Sequence, residues 1–233
     1  MKTSVLKFTL LASFAWVTLA ASSGLAQSQW EHVKTEKGVR VDQKEVKDRD
    51  LPTFRGATVI NANIYALLAV INDFDRHPEW MHSCKESKLL KKTGDFYLLS
   101  YNRTHAPWPV SDRDVVLESK VSLIPEKNMV RINFKGTSSP LKPEVDGVVR
   151  MMRLRGFYQL KAISANKTRV MYQVDADPGG SIPAWVAEMV VDDMPVNTLT
   201  NLRSQVKKRG GQYKAFLSRW DETQNPDAPK MIP

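Results

Sequence analysis

The sequence predicts an α+β fold in which a curved antiparallel β-sheet wraps around one long C-terminal α-helix and encloses an apolar space. Three observations predict it. The middle of the chain is a series of strand-type runs joined by short turns, as consecutive antiparallel strands require. One short amphipathic helix interrupts that series early. A long helical stripe then follows, from Ile182 to Val206.

The 233 residues suffice for one well-formed core and are short for two. A composition of 42% hydrophobic and 25% charged residues is that of a globular protein and excludes wholesale disorder. No repeat of solenoid period is present. The first residues read as an export signal. Lys2 and Lys7 precede an apolar run from Phe8 to Ala21, and Gly24-Leu25-Ala26 offers a small-x-small cleavage site. The run is shorter than the roughly 20 residues that a spanning helix needs. A retained N-terminal anchor is the alternative. The expected organisation is a signal peptide over 1–26, one folded domain over 27–222 and a flexible tail over 223–233. The mature protein is expected outside the cytoplasm, in the periplasm or the medium.

The elements follow in order. Trp30 to Thr35 and Val39 to Val46 are strand-type runs, and Lys37-Gly38 between them makes a hairpin turn. Leu51-Pro52 separates these from a third run, Thr53 to Ile60. The period then changes: Ile64, Leu67, Leu68 and Ile71 form one helical stripe, with Asn61 or Asn63 as cap. Asp73 to Pro78 ends this helix. Strands are predicted over 96–103, 114–123, 129–137, 148–163 and 168–175, with turn signals between them. In the second of these, Val115, Leu117, Ser119, Val121 and Leu123 share a mostly apolar face, so it is half-buried. Gly156 marks a bulge or bend. Asp177-Pro178-Gly179-Gly180 is a sharp turn, and Ser181 can cap the last helix with Pro183 in its first turn. Ile182, Trp185, Val186, Met189 and Val190 start the apolar stripe, which Val196, Leu199, Leu202 and Val206 continue. Lys207 and Lys208 complement the helix dipole, and Gly210-Gly211 stops the helix. Pro195 is expected to kink or split it.

Few residues point to chemistry. Cys84 is the only cysteine, so the domain has no internal disulfide, and this thiol reads as a small buried residue at a strand start. His77 and His82 have poor spacing for a metal site. No phosphate loop, G-x-S-x-G elbow or H-E-x-x-H occurs. Asp192-Asp193 reads as a solvated helix shoulder. No cofactor or metal is expected. The formal charge is +9, or +7 without Lys2 and Lys7. Such a surface favours anionic partners, and export argues against nucleic acid.

Two stretches resemble a known family. Trp108-Pro109-Val110-Ser111-Asp112-Arg113-Asp114-Val115-Val116 is similar to the W-P-x-x-x-R-D segment of START (StAR-related lipid transfer) domains. Asp177-Pro178-Gly179-Gly180-Ser181-Ile182-Pro183-Ala184-Trp185 is similar to their P-G-G-x-I-P-x-W segment before the C-terminal helix. Phe74-Asp75 through Trp80 also resembles the family's segment ending in Trp. The resemblance implies a helix-grip fold with a hydrophobic tunnel for one lipid and no chemistry. An enzyme of cyclase or hydrolase type, using the same cavity, is the alternative. Some sterol-binding relatives place an acidic and a basic residue in the tunnel; here Tyr101 and Ser119 fall near those positions, so no sterol specificity carries over.

Ten residues are candidates for ligand contact: Tyr101, Arg103, Trp108, Arg113, Arg131, Met151 and Tyr172 on strands and loops, and Trp185, Met189 and Met194 on the last helix. Arg113 and Asp114 are adjacent, so they point to opposite faces of a regular strand. Two roles fit Arg113: an ion pair that fixes the strand start, or a bidentate contact with a lipid phosphate. The loop from Ser138 to Gly147 and the Pro195 region are candidate gates. The expected partners are one lipid or other hydrophobic molecule and, transiently, a membrane surface, with the protein a monomer.

Overall fold

Apolar-polar alternation along the middle of the chain builds ten strands among the described residues, and two helices close them. This computed structural model describes residues 29–220 except 48, 50, 180 and 181, and only the backbone at 184, 187–189, 191 and 220. The expected signal peptide, the expected tail and the Ser181 cap lie outside the described residues.

The chain opens with β1 (Glu31–Glu36), β2 (Val39–Lys44) and β3 (Thr53–Ile60). Helix α1 (Ile64–Asn72) follows, its start capped by Asn63, whose side chain accepts the backbone N–H of Tyr65 at 2.8 Å. A 3-10 turn, Phe74–Glu79, with Pro78 inside it, leads to the buried Trp80. Strands β4 (Cys84–Thr93), β5 (Tyr97–Thr104), β6 (Arg113–Ile124) and β7 (Met129–Thr137) come next. A two-residue strand β8 (Val149–Arg150), then β9 (Leu154–Ser164) and β10 (Lys167–Ala176), complete the sheet. Helix α2 (Ala184–Arg209) follows, and a short helical turn over Lys214–Leu217 comes after it.

The strand order is β1-β2-β3-β10-β9-β7-β6-β5-β4, antiparallel throughout, with β8 paired parallel to the start of β6. This is the helix-grip arrangement: the sheet curves round α2, and the core lies between them. Val39, Phe54, Leu67, Leu68, Leu160, Leu199 and Leu202 are buried there.

Four details differ from the sequence reading. The strand expected over 148–163 is two strands. The last residue of β7, Thr137, pairs with Val116, which leaves Arg113 and Asp114 open on that side of β6. The chain pairs there first, as β8, and then steps over to pair with β7, as β9. Strand β4 is absent from the predicted series because Lys85, Lys88, Lys91 and Lys92 make it look like a polar loop. It sits at the sheet edge, where lysines discourage pairing with another chain. Finally, α2 is not split: it is helical from Ala184 to Arg209 with Pro195 inside it. Gly156 keeps regular register with both β7 and β10 and marks no bulge. Its missing side chain makes room instead, since a Cβ there would stand 2.6 Å from the Phe134 ring.

Candidate ligand-binding cavity

Because side chains alternate along strands, every second residue of β5 and β6 faces α2. On β5 these are Leu98, Ser100, Asn102 and Thr104; on β6 they are Arg113, Val115, Leu117 and Ser119. They form one wall of a cavity of about 190 Å³. That is far more than the ~10–15 Å³ that admits a single water. The opposite wall is apolar: Val174 and Ala176 of β10, with Val186, Val190 and Met194 of α2. Phe134, Tyr158 and Tyr172 form an aromatic surface, the two tyrosine rings stacked with centroids 4.5 Å apart.

One end of the cavity is built by loops and strand ends. The segment Thr104 to Pro107, Arg113, Met151, Pro178 and the first turn of α2 meet there. Next to these lining positions stand exposed apolar side chains: Trp108 (90% exposed), Met152 (51%) and Trp185 (47%). This end is the mouth.

Electrostatically the cavity is nearly bare. Among the described lining residues none is Asp, Glu or Lys, and Arg113 is the one permanent charge. His77 also lines the wall, fully buried; burial pushes its pKa down to about 4, so the ring is neutral. Burial pushes the Cys84 thiol up to about 11, which leaves almost no thiolate at neutral pH. Asp112 touches two residues at the mouth, His105 and Ala106. Its burial opposes ionisation, but hydrogen bonds from Lys85 and Arg103 outweigh that and hold the carboxyl far below the usual range.

The ten candidate residues separate cleanly in space. Arg113, Met151, Tyr172 and Met194 line the cavity. Tyr101 and Arg103 do not, because the alternation that turns Ser100 and Asn102 inward turns them outward. Tyr101 is buried on the outer face, where its hydroxyl donates to Asp114 at 3.1 Å. Arg103 pairs with Asp112 at 2.7 Å. Arg131 likewise faces out, its guanidinium 3.6 Å above the Phe157 ring. Trp108 and Trp185 flank the mouth from outside; Trp185 falls off the α2 stripe formed by Val186, Val190, Met194 and Thr198. The side chain of Met189 lies outside the described residues.

The expected gate at Ser138 to Gly147 contributes no lining residue. Arg150 binds it by the carbonyls of Lys142 and Pro143, and the Lys142 ammonium sits 3.9 Å over the Tyr101 ring. Sequence reasoning missed Ser100, Phe134 and Tyr158. Ser100 was within reach: antiparallel pairing opposite Leu117 puts it on the face that the β6 alternation already defines.

The polyketide cyclase/dehydrase and lipid transport family matches residues 60–203. An uncharacterized protein of Pseudomonas aeruginosa is 36% identical over 206 residues, 88% of this chain and 98% of that one. The phosphatidylcholine transfer protein of Rattus norvegicus is 26% identical over 166 residues, 70% of this chain and 76% of its own. The crystal structure of a STAR-related lipid transfer protein from Xanthomonas axonopodis superposes with a TM-score of 0.69 at 32% identity, covering 76% of this chain and 98% of that one.

Proposed function

The chain belongs to the START/polyketide cyclase and lipid transport family, and from that membership we propose that it binds one lipid in the cavity and carries it between membranes without chemistry. The observation that carries this reading is the cavity itself: apolar on the α2 side, and holding a single permanent charge among its described lining residues. Acyl chains supply the binding energy. Each buried CH2 contributes about 0.8 kcal/mol, so a sixteen-carbon chain brings roughly 11 kcal/mol before the costs of association. That suffices for tight binding with little help from a headgroup.

Carriage requires a membrane encounter. Trp108, Met152 and Trp185 give the mouth an apolar rim of the kind that sits in a bilayer interface. The lipid would then enter past α2 without crossing water.

An enzyme acting on a hydrophobic substrate is the second reading, and one pair favours it. His105 and Asp112 stand 3.1 Å apart at the mouth. A His–Asp pair can serve as general base. Yet Asp112 also holds Lys85 and Arg103, and among the described residues no hydroxyl or thiol is hydrogen-bonded to the His105 ring. Binding is therefore the better reading.

Native mass spectrometry of protein purified without detergent tests it. The expected result is one lipid per chain, released and identified on denaturation. Protein that emerges empty and takes up no lipid from vesicles would sink the reading and bring the His105–Asp112 pair forward.

A further inference from the structure

We propose that Arg113 is the headgroup site of the cavity, taking the anionic oxygen group of a lipid, phosphate or carboxylate, whose chains lie along the apolar wall. This rests on the lipid-binding reading above and names the chemical class of the ligand.

Arg113 is a buried charge without a counter-charge among the described residues. It lines the cavity and is only 8% exposed, yet no carboxylate pairs with it among the described residues. Both of its sequence neighbours are acids, and both are committed elsewhere. Asp112 binds Arg103, Lys85 and His105. Asp114, 1% exposed, takes Arg150 in a two-pronged contact at 2.6 and 3.1 Å and also accepts from Tyr101. Other arginines near this end each meet a carboxylate: Arg103 with Asp112, Arg150 with Asp114, Arg155 with Asp175. Arg113 is the exception.

Its one hydrogen bond among the described residues runs from Nη1 to a neutral acceptor, the carbonyl of Ser111, at 2.5 Å. The Nε is buried and unpartnered. Among the described residues neither Nε nor Nη2 has a hydrogen-bond partner, and this is the edge of the planar fork that grips phosphate or carboxylate with two parallel hydrogen bonds. A buried guanidinium without a counter-ion is costly, and a ligand that brings the counter-charge removes that cost. Burial also lowers its pKa from the usual value, with no acid acting in the other direction.

The rest of the wall indicates a net-anionic ligand. No Asp or Glu among the described lining residues would answer the cation of a zwitterionic headgroup. Ser100, fully buried with an unpartnered hydroxyl, shares the inner face of β5. Thr104, the residue opposite Arg113, lies four positions along that strand. Ser100 therefore sits about 13 Å deeper in the cavity, a second polar point for an ester or hydroxyl of the same lipid.

The test compares detergent-free wild type, Arg113→Met and Arg113→Lys. Each is offered labelled phosphatidylglycerol or labelled phosphatidylcholine in phosphatidylcholine vesicles, or labelled oleate, with inorganic phosphate as competitor. Wild type should bind phosphatidylglycerol or oleate about tenfold or more tighter than Arg113→Met does, the worth of a charge-assisted contact. Phosphatidylcholine uptake should change much less, and Arg113→Lys should restore part of the anionic preference. Loss in the phosphatidylglycerol arm alone identifies a phosphodiester; loss in the oleate arm alone identifies a carboxylate. Ligand-free Arg113→Met should melt no lower than wild type, since an uncompensated charge has gone. A variant that melts far lower or does not fold makes Arg113 structural and overturns the proposal. Equal lipid uptake by wild type and Arg113→Met overturns it too, as does an Arg113 dependence seen only with inorganic phosphate. Those results leave lipid binding standing; wild type that takes up no lipid at all fells both.

Discussion

At His77 the fold buries an ionisable ring in the cavity wall and holds it by both nitrogens. The Ile71 carbonyl, 2.8 Å from Nε2, can only accept, so the proton is on Nε2. Nδ1 then accepts from the Ser87 hydroxyl at 3.2 Å. This arrangement suits the neutral ring, and burial lowers the pKa from 6.5 to about 4. The unfolded chain therefore binds a proton that the folded protein refuses between those values. The stability held by neutral His77 is complete above pH 6.5 and declines as pH falls towards 4, by about 3 kcal/mol in all. Urea denaturation across pH 4–7 should show this decline in wild type beyond what His77→Gln shows. Identical pH profiles in the two proteins would mean that His77 is not buried neutral. Cys84 follows the same logic with opposite sign: burial favours its neutral thiol, which is why this lone cysteine is a poor candidate nucleophile.

Between elements, α2 packs closely on β3. Val196, Leu199, Leu202 and Val206 bury one face of the helix, and Gly56 is where the strand admits it. A Cβ at Gly56 would stand 2.9 Å from both Pro195 Cβ and Leu199 Cδ1. The leucine tip can move, but the proline ring, fixed in the helix, cannot. Gly56→Ala should therefore destabilise the protein by roughly 1–3 kcal/mol through overpacking. Gly211→Ala, where nothing lies within 4 Å, should stay within about 0.5 kcal/mol of wild type. Denaturant midpoints decide the matter; equal effects at the two glycines would show that α2 does not press on Gly56. The same contact divides α2 by task. Its C-terminal half is anchored on β2, β3 and α1, while Val186, Val190 and Met194 of its N-terminal half roof the cavity.

For the molecule as a whole, the distribution of exposed apolar residues matters more than the net charge. Trp108 is 90% exposed and contributes almost nothing to the core, so its removal should leave the melting temperature unchanged. If the mouth docks on a bilayer, Trp108→Ala should slow lipid uptake from vesicles by roughly tenfold, the loss of about 1.4 kcal/mol of interfacial anchoring. Stopped-flow transfer of a fluorescent phospholipid measures this directly. An unchanged rate would move the docking surface elsewhere. Among the described residues no helix is long and apolar enough to cross a membrane.

The sequence by itself determined most of the element order, and with it the architecture. Thr53–Ile60 and Met129–Thr137 form the strands that their β-branched and apolar content predicts, and Asn63 caps the helix that the Ile64-Leu67-Leu68-Ile71 stripe predicts. Those signals are local, because side-chain period and capping are properties of a few consecutive residues. The lysine-rich edge strand β4 escaped because the signal of an edge strand is its exposure, which only its neighbours define. The cavity was legible in part. The face Val115, Leu117, Ser119 was visible as an alternation, but whether Tyr101 or Ser100 shared it depended on cross-strand register. Which acid each arginine meets was decided by the tertiary structure alone. Asp112 and Asp114 flank Arg113 in the chain, yet strand geometry turns one to Arg103 and the other to Arg150. Ion pairing follows distance in space, and a strand sends adjacent side chains to opposite faces.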